Sequence, residues 1–478
     1  MQEVRVRFAP SPTGYVHLGS LRTALYNYLF ARRQNGRFIL RVEDTDQARH
    51  TEGAVENLLA TLEWAGLDYD EGPVIGGPHR PYFQSERRLI YARSATELLR
   101  RGAAYHCFCS EERLEKLRAG QAARNEPQKY DRHCRKIDPA EAGQRARLEP
   151  FVIRMKIPED GETVVEDVIR GRVVFQNQQL DDQVLIKSDG YPTYHLANVV
   201  DDHRMKITHV IRGEEWLLST PKHVLLYRYF GWKMPVFAHL PLLLNEDRSK
   251  LSKRQGDVAV EDYRTAGYLP DALVNFVALL GWNRGDDKEI FARGELIESF
   301  SLERVGKTSA VFNREKLDWM NGMYIRNMEE GAYCDLALAE MQKAGLDAGD
   351  PGLNRKIVLA VRNGLNRFGE IPLRAALFFA DRISEYSPDA EEWIKKEASK
   401  RIFRSMLGAL KKVKNLDNEN FRVIMKQVQD ESGVKGKDLW MPVRSALTGL
   451  TGGPELPVVI EILGKDKLIK FINLAMEV

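Results

Sequence analysis

The chain contains 478 residues, of which 43% are hydrophobic and 29% are charged, and this composition predicts a globular protein with several domains. Its formal net charge of +3 is too small for a global field that attracts nucleic acid, so any such binding requires local basic patches. No apolar run approaches membrane-spanning length, no signal-like apolar core opens the chain, and the four cysteines form no disulfide framework, so we expect a cytoplasmic protein without membrane contacts.

The first predicted elements are a strand, a turn and a helix. Apolar and charged residues alternate over residues 3–8, Pro and Gly interrupt residues 10–14, and apolar residues then recur at helical spacing up to Gly36, which we expect to close the helix. His17 and Gly19 therefore lie where a helix begins. The first turn of a helix has unpaired N–H groups and partial positive charge, which favours phosphate, although a turn histidine is the simpler interpretation of so short a motif.

A second predicted strand, residues 38–42, leads directly into Glu43. Strand, helix and strand in this order form a parallel βαβ unit, and ligands bind beyond the carboxyl ends of such strands. We therefore expect Glu43 to lie beside His17. Its carboxylate could bind an ammonium group, or it could belong to an acidic surface turn that caps the next helix.

The composition changes in the middle of the chain. Amphipathic helices are predicted over residues 54–64 and 87–99, after which residues 111–147 hold ten Lys or Arg and residues 151–175 contain short β-rich runs. We interpret this part as an insertion between two halves of one α/β domain. A solvated, variable excursion is the alternative.

Three cysteines in or next to this insertion have spacings that suit a metal site. Cys107-x-Cys109 and Tyr130-x-x-x-Cys134 offer three thiolates and one further donor, which are enough for a tetrahedral zinc site. Tyr130 or His133 could supply the fourth ligand. The alternative is a set of three free thiols.

The α/β pattern resumes after the insertion. The sequence predicts a helix over residues 191–200, a buried strand over residues 207–211 that leads into Arg212, and a helix over residues 221–230 with Thr220 as its N-cap. Because the strand ends at Arg212, its side chain is expected at the ligand-binding edge of the sheet.

Two lysines follow the last strand-like run of this domain. Residues 239–244 are apolar, residues 245–249 form a polar turn, and Lys250 and Lys253 come next. Two ammonium groups on a loop suit a polyphosphate whose negative charge grows as a P–O bond breaks. A solvated basic loop is the alternative.

The last third of the chain is predicted to be helical. A helix is expected over residues 269–280, and from residue 326 onward the apolar spacing is helical apart from a strand-like run at residues 458–463. Residues 395–414 hold eight basic residues and one acidic residue, which suits an RNA backbone. A solvated helix face would have the same composition.

Several of these segments occur together and in order, which is a more specific signal than any one of them. The blocks are Arg7 to Gly14 (RFAPSPTG), Arg41 to Asp46 (RVEDTD), Asp189 to Asn198 (DGYPTYHLAN), Val210 to Leu217 (VIRGEEWL) and Lys250 to Arg254 (KLSKR). In these blocks the chain resembles the bacterial-type glutamyl-tRNA synthetases, a family of class I aminoacyl-tRNA synthetases. The blocks span the N-terminal two thirds, and the helical last third is similar more loosely.

The resemblance implies an α/β fold with a Rossmann-like parallel-sheet catalytic domain, an α+β insertion, and an all-α C-terminal anticodon-binding region. The implied catalytic domain has two halves, at residues 1–109 and 189–250, and the inserted acceptor-binding domain lies between them at residues 110–188. The implied stem-contact region spans residues 251–325, and the implied anticodon-binding region spans residues 326–478.

The resemblance also implies an activity and its partners. These are the ATP-dependent activation of L-glutamate to glutamyl-adenylate and its transfer to the 3′ end of tRNA-Glu, by a monomer that uses Mg²⁺. The implied ATP-binding residues are His17, Gly19, Lys250, Ser252 and Lys253, of which His17, Lys250 and Lys253 are the implied catalytic residues. The implied glutamate-binding residues are Arg7, Ala9, Ser11, Glu43, Tyr194, Asn198, Arg212 and Trp216.

Arg212 is central to this site, because a dicarboxylic amino acid needs a guanidinium fork for its side-chain carboxylate. The alternative for Arg212 is a structural ion pair with Glu214 or Glu215.

Two positions depart from the family pattern. Some relatives hold zinc through a C-x-C pair plus either C-x-H or Y-x-x-x-C, and Lys136 stands here in place of the C-x-H histidine. When the chain is aligned on Gly369-Glu370-x-Pro372, Gly364 falls where relatives that are strict about the last anticodon base tend to have arginine. Zinc binding and the charging of tRNA-Gln are therefore open.

Four competing functions remain to be weighed. Arg212 argues against a glutaminyl enzyme, because an amide needs no such partner. The helical tail argues against a truncated glutamylating enzyme that modifies a tRNA base, and against a small-molecule nucleotidylyltransferase. The presence of His17, Lys250 and Lys253 argues against a non-catalytic tRNA-binding relative.

Overall fold

The computed structural model describes residues 3–46, 49, 51–249, 251, 259–414 and 416–478. The chain divides into two compact units, of which the first comprises Met1–Asp262 with Val274–Asn313 and the second comprises Tyr263–Leu273 with Arg314–Val478. The first unit contains the predicted α/β architecture, and the second is built from helices, so the predicted fold class is confirmed.

The strands of the described chain all belong to the first unit. They are β1 Arg5–Phe8, β2 Arg37–Leu40, β3 Ala104–Cys107, β4 Val152–Met155, β5 Glu162–Asp167, β6 Gly171–Gln176, β7 Val184–Ile186, β8 His209–Gly213, β9 Val236–Leu240, β10 Leu243–Leu244 and β11 Ala310–Val311. The helices of the same unit are α1 Leu18–Arg33, α2 Ala54–Trp64, α3 Arg88–Arg100, α4 Glu111–Ala123, α5 Pro139–Arg145, α6 Tyr194–Arg204, α7 Thr220–Phe230 and α10 Arg293–Ser299, while α8 Val260–Thr265 and α9 Pro270–Leu279 cross the divisions between the units.

Parallel pairing builds the sheet that carries the site. β1 pairs with β2, and β8 pairs with β9, which also has β5 as a parallel neighbour. The backbone N–H of Thr208, just before β8, donates to the carbonyl of Arg5 in β1 across 2.8 Å. β1 and β8 therefore lie side by side, so the residues that follow β1, β2 and β8 meet at one edge, as expected for parallel strands with crossover helices.

The middle of the chain forms two smaller antiparallel arrangements. β3, β4 and β7 make a three-stranded sheet, and β5 and β6 make a hairpin. β3 lies before residue 110, where the predicted insertion begins, and it pairs with β4 inside that insertion. β5, also inside the insertion, pairs with β9 of the parallel sheet. The middle segment is thus joined by backbone hydrogen bonds to the elements on both sides of it.

The structure corrects several local predictions. Helix α1 ends at Arg33, and Asn35, with φ of 49°, takes the left-handed conformation that ends it. Gly36 is needed for a different reason, because a Cβ there would lie 2.3 Å from the carbonyl oxygen of Val4. The predicted N-cap Thr220 is the first residue of α7, and its hydroxyl donates to the carbonyl of Trp216 instead of capping the helix.

Two further predicted elements are displaced or wrong. The helix predicted from residue 191 begins at Tyr194, since residues 191–193 lie along β7 and the backbone N–H of Thr193 donates to Leu185. The strand-like run at residues 458–463 is helical, because its apolar side chains pack into a helical core that a strand could not reach with the same residues. A short apolar run fits either a strand or a buried helix.

The second unit is a helical array around one core. Its helices are α11 Arg314–Asn327, α12 Glu330–Lys343, α13 Pro351–Val361, α14 Ile371–Phe379, α15 Pro388–Lys395, α16 Glu397–Lys412, α17 Asn418–Ser432, α18 Lys437–Thr448 and α19 Leu456–Ala475. Gly464 interrupts α19 with non-helical dihedral angles. The apolar faces of α13 and α16 contribute to the core, as the helical spacing of their residues predicts, and α17 and α19 add apolar residues to the same core. Among the described residues, no helix is both long and apolar enough to cross a lipid bilayer.

Candidate active site

A cavity of about 630 Å³ opens at the edge of the parallel sheet where β1, β2 and β8 end. It brings together predicted site residues that are far apart in sequence, and its lining includes Arg7, Ala9, Ser11, His17, Gly19, Glu43, Tyr194, Asn198, Arg212 and Trp216. Residues 7–19, residue 43 and residues 194–216 therefore share one site.

His17 is the N-cap of α1. Its Nδ1 accepts from the backbone N–H of Ser20 across 3.2 Å, and its Nε2 lies 3.0 Å from the Ser20 hydroxyl. Gly19 makes room for this arrangement, because a Cβ there would lie 3.1 Å from the imidazole. The first turn of α1 adjoins the cavity and holds no acidic residue, so no carboxylate within that turn offsets the positive end of the helix.

The predicted catalytic lysines lie outside the described residues, as does Ser252. Leu251, which lies between them in sequence, lines the same cavity as His17, and its backbone N–H donates to the carbonyl of Leu243 across 3.0 Å.

Arg7 and Glu43 are buried in a network of charges. Asp202 on α6 accepts from Nε of Arg7 at 3.1 Å and from Nη1 of Arg41 at 2.7 Å. Nη2 of Arg41 donates to Oε1 of Glu43 at 2.9 Å. Burial raises the pKa of Glu43, and the nearby Arg41 opposes that rise without cancelling it. Asp202 and Arg41 thus hold the two predicted ligands in place.

Arg212 is only 4% exposed and reaches the cavity from the carboxyl end of β8. Its guanidinium donates to four neutral groups, which are the Tyr194 hydroxyl at 2.9 Å, the Thr220 hydroxyl at 2.9 Å, Nε2 of His239 at 3.1 Å and Nδ1 of His223 at 3.3 Å. Arg212 forms no salt bridge with any residue in the described ranges, and Glu214 pairs with Arg170. The alternative of a structural ion pair with Glu214 or Glu215 therefore finds no support.

The remaining wall of the cavity is aromatic and polar. The rings of Tyr194 and Trp216 pack with 4.1 Å between their centroids. Nδ2 of Asn198, a residue only 3% exposed, has no hydrogen-bond acceptor among the residues described here. A buried amide N–H group without an acceptor costs free energy, and a ligand or water in the cavity would remove that cost by supplying an acceptor.

Sequence reasoning missed the residues that support the site from behind. They are Asp202, His223, His239 and Asp167. The adjacent acids Asp201 and Asp202 follow the apolar run of α6, and two acids on the buried side of a helix are a signal that could have been noticed. Nothing in the local pattern of His223 or His239 indicates their shared contact with Arg212.

The predicted metal residues also come together, in a separate cluster. The sulfur atoms of Cys107, Cys109 and Cys134 all lie within 4.8 Å of one another. The Tyr130 hydroxyl lies 3.3 Å from Sγ of Cys107 and 3.4 Å from Sγ of Cys109. Among the described residues, the ring nitrogens of His133 do not lie close enough to these sulfur atoms to belong to the cluster.

Comparison with known proteins gives two family matches along the chain. Residues 3–319 match the catalytic domain of class I tRNA synthetases for E and Q, and residues 336–476 match an anticodon-binding domain. The two matches together span most of both structural units.

Full-length relatives and solved structures agree with these matches. The chain is 48% identical to a glutamate–tRNA ligase of Alkaliphilus metalliredigens (strain QYMF) and 46% identical to one of Clostridioides difficile (strain 630), with 98% and 97% of each chain covered. It is also similar to the crystal structure of a glutamate tRNA ligase from Elizabethkingia meningosepticum in complex with its amino acid, at a TM-score of 0.90 and 38% identity, with 100% of this chain and 99% of that chain covered. The cavity, the two units and these full-length similarities together show that the chain belongs to the glutamate–tRNA ligase family of class I tRNA synthetases.

Proposed function

We propose that this enzyme attaches L-glutamate to the terminal adenosine of tRNA in two steps. In the first step, a carboxylate oxygen of glutamate attacks the α-phosphorus of ATP, and pyrophosphate leaves. In the second step, a ribose hydroxyl of the tRNA attacks the glutamyl carbonyl, and AMP leaves. Neither step needs a nucleophile from the protein, so catalysis rests on positioning and on charge stabilisation.

The buried guanidinium of Arg212 is the observation that carries the proposal. A buried charge whose partners are all neutral lacks the counter-ion that normally offsets its desolvation. A carboxylate that enters the cavity would supply it, through a charge-assisted hydrogen bond from the one Nη1 N–H that these four bonds do not use, and a neutral amide cannot match that interaction. The side chain of glutamate fits this requirement, and that of glutamine does not.

The α-ammonium group of glutamate would be bound by Glu43, which lines the cavity with one oxygen held by Arg41. Asn198 and the wall formed by Tyr194 and Trp216 would fix the substrate backbone, while Arg7, held by Asp202, would donate a hydrogen bond to the reacting carboxylate. Ala9 and Ser11 would contribute to the same wall.

ATP, with its Mg²⁺, would lie against the start of α1. His17, Gly19 and Ser20 at the start of the helix line the cavity, and Gly19 permits close approach to the backbone. Lys250, Ser252 and Lys253 are proposed to hold the departing pyrophosphate, by the family resemblance of the segment and because Leu251 already lines the cavity.

Pyrophosphate exchange tests this function directly. The purified enzyme is incubated with ATP, labelled pyrophosphate and each amino acid in turn, with and without tRNA. We expect glutamate to be the only amino acid that supports exchange. Exchange with glutamine would favour a glutaminyl enzyme, exchange with a small non-amino-acid substrate would favour a nucleotidylyltransferase, and no exchange under any condition would favour a non-catalytic tRNA-binding protein.

We also propose that the enzyme charges tRNA-Gln as well as tRNA-Glu. Gly364 is exposed in the second unit, where the family resemblance places the residue that discriminates the last anticodon base. Arg362 offers no substitute, because it donates to the backbone carbonyls of Ile325 and Arg326. A Cβ at Gly364 would lie 3.3 Å from the flexible end of Arg374, so a side chain can be accommodated.

Charging assays with purified tRNA-Glu and tRNA-Gln decide this point. We expect the native enzyme to charge both, and Gly364→Arg to lose tRNA-Gln charging by at least tenfold relative to tRNA-Glu, whereas Gly364→Gln, of similar length without charge, should lose much less. Native enzyme that rejects tRNA-Gln would contradict the proposal.

Zinc is proposed to bind Cys107, Cys109, Cys134 and Tyr130. Zinc–sulfur bonds of about 2.3 Å in tetrahedral geometry separate two sulfur ligands by about 3.8 Å, and Sγ of Cys109 lies 3.6 Å from Sγ of Cys134. The donor set therefore fits a closed structural site, with the Tyr130 oxygen as fourth ligand in place of His133. When bound, zinc would stabilise the fold of this segment and would take no part in the reaction.

The predicted domain limits are proposed to correspond to roles in binding tRNA. Residues 110–188 would hold the acceptor end, residues 251–325 the stem, and residues 326–478 the anticodon, with the basic stretch of α15 and α16 as an RNA contact. Since charged tRNA is consumed in translation, the proposed setting is the cytoplasm, and the proposed active form is the monomer.

A further inference from the structure

A chain of hydrogen bonds lies behind Arg212 on the side away from the cavity. Nδ1 of His239 is 2.6 Å from Oδ2 of Asp167, and Nε2 of the same ring faces Nε of Arg212 at 3.1 Å. Nδ1 of His223 faces Nη2 of the same guanidinium at 3.3 Å, and Nε2 of His223 is 3.2 Å from Nδ1 of His195. Asp167, His239 and His223 do not line the cavity as it is described.

The position of each proton in this chain follows from Arg212. A guanidinium is only a donor, so the ring nitrogens that face it must be acceptors. His239 therefore accepts at Nε2 and carries its proton on Nδ1, which donates to Asp167. His223 likewise accepts at Nδ1 and carries its proton on Nε2, which donates to Nδ1 of His195. Both rings must be neutral, because a protonated imidazole has no acceptor left.

We propose that His239 and His223 are positioning residues that hold Arg212 as an uncompensated cation, and that Asp167 selects the tautomer of His239 that this requires. The proposal rests on the proposed function, in which Arg212 pairs with the side-chain carboxylate of glutamate. It assigns the choice of acid over amide to residues that never touch the substrate.

The neighbouring arginine shows what the neutral partners achieve. Arg7 lies in the same cavity lining, but its guanidinium is paired with the carboxylate of Asp202 through two hydrogen bonds of 3.1 and 3.3 Å. If a carboxylate stood in place of His239, Arg212 would be neutralised within the protein in the same way. Imidazole supplies the same hydrogen-bond geometry without the negative charge, so the charge of Arg212 remains available to a ligand.

Burial and charge favour the neutral form of both rings. The side chains of His223 and His239 are fully buried, and burial together with the positive charge of Arg212 lowers the pKa of each. For His239, the hydrogen bond to Asp167 opposes this change without reversing it. The carboxylate of Asp167 lies on the far side of the ring from Arg212, so it orients the imidazole and leaves the guanidinium without a direct counter-ion.

Asp167→Asn is the sharpest test. The amide keeps the shape of Asp167 and can still accept from the backbone N–H groups of Ile169 and Arg170. Its NH₂ group, however, would donate to Nδ1 of His239 and drive the ring proton to Nε2, where it would face a guanidinium N–H. Replacing an aspartate that fixes a histidine tautomer in this way impairs function while the geometry is retained.

We expect Asp167→Asn to raise the glutamate KM in pyrophosphate exchange by about tenfold or more, because the buried Nε–H of Arg212 loses its acceptor on His239. The ATP KM should change less than twofold. A second pair of variants separates positioning from packing. His239→Gln retains an acceptor near Nε2 and should keep more glutamate affinity than His239→Leu, which fills the space without an acceptor. His209→Gln on β8, whose ring contacts Thr208 and Phe30, is the matched control and should behave as the native enzyme.

The outcomes distinguish this inference from the proposed function. Unchanged glutamate KM in both Asp167→Asn and His239→Leu, in an enzyme where Arg212→Ala raises it, would overturn the inference and leave the proposed function intact. Equal losses in His239→Gln and His239→Leu, with glutamate and ATP affected alike, would show a structural role and would also overturn it. Failure of Arg212→Ala to affect glutamate would instead contradict the proposed function.

Discussion

Nη1 of Arg212 donates to the hydroxyl of Tyr194 across 2.9 Å, which ties the end of β8 to the start of α6. The Tyr194 ring packs in turn on Trp216, so the guanidinium is fixed from one side by an aromatic wall. Three further N–H groups of Arg212 are held by Thr220 and two histidines, which leaves one N–H on Nη1 for a ligand. A carboxylate that enters the cavity therefore meets a donor that is already oriented, which reduces the entropy lost on binding.

The first prediction concerns Arg212 itself. Arg212→Ala should raise the glutamate KM by about a hundredfold, which corresponds to the roughly 3 kcal/mol typical for removal of one partner from a buried charge pair. Arg212→Lys keeps the charge but not the fork, and should recover only part of the loss. Steady-state pyrophosphate exchange measures both, and the ATP KM is the internal control. An unaltered glutamate KM in Arg212→Ala would remove this residue from the site.

The second prediction concerns the loop lysine. Lys253→Ala should lower the rate of adenylate formation by a few orders of magnitude with little change in tRNA affinity, because the ammonium group is proposed to stabilise the charge that shifts to pyrophosphate. Single-turnover formation of glutamyl-adenylate and a filter-binding assay with tRNA measure the two quantities. Lys233→Ala, which removes an exposed lysine elsewhere in the first unit, is the charge-matched control. Adenylate formation at the native rate in Lys253→Ala would rule out this role.

The third prediction concerns the cysteine cluster. Protein purified without chelator should contain about one zinc ion per chain, and Cys109→Ala should contain much less, because a thiolate ligand is removed from a four-ligand site. Cys334→Ala is the matched control, since Cys334 is buried in the second unit outside the cluster. Metal analysis by mass spectrometry gives the zinc content, and chelation should lower the thermal stability of the native protein and of Cys334→Ala but not that of Cys109→Ala. Native protein free of zinc would favour three free thiols.

The fourth prediction concerns pH and the buried histidines. Burial and the charge of Arg212, with contributions from His195, His239 and Lys222, lower the pKa of His223 well below 6.5. As the pH falls through 6.5, the unfolded chain takes up a proton at this position and the folded chain does not. The folded state should therefore lose about 1.4 kcal/mol per pH unit from this group below pH 6.5, and none of this loss should occur above it.

Thermal unfolding between pH 7.5 and 5 measures this effect. His223→Gln, which cannot titrate, should show a shallower fall in unfolding midpoint than the native enzyme. Parallel curves for His223→Gln and the native enzyme would mean that His223 is protonated in the folded state, against the proton positions derived from Arg212.

Much of the fold follows from local patterns that tertiary structure did not override. Residues 54–64 form a helix with the predicted limits, and Gly231, in the left-handed conformation, ends α7. These elements are set by apolar spacing and by backbone freedom, which are properties of a few adjacent residues. The run at residues 458–463 shows the limit, because β-branched apolar residues fit a strand and a buried helix equally well.

The sequence by itself determined which residues end the strands of a parallel sheet, and hence that His17, Glu43 and Arg212 would share an edge, because the direction of the strands follows from the order of the elements. Only the tertiary structure decided what stands behind those residues. Asp202 reaches Arg7 and Arg41, and His239 reaches Arg212, through contacts between elements that no local pattern records. The charge state of a buried group depends on all its neighbours in space, so the neutral surroundings that leave Arg212 without a counter-ion become visible only once the chain is folded.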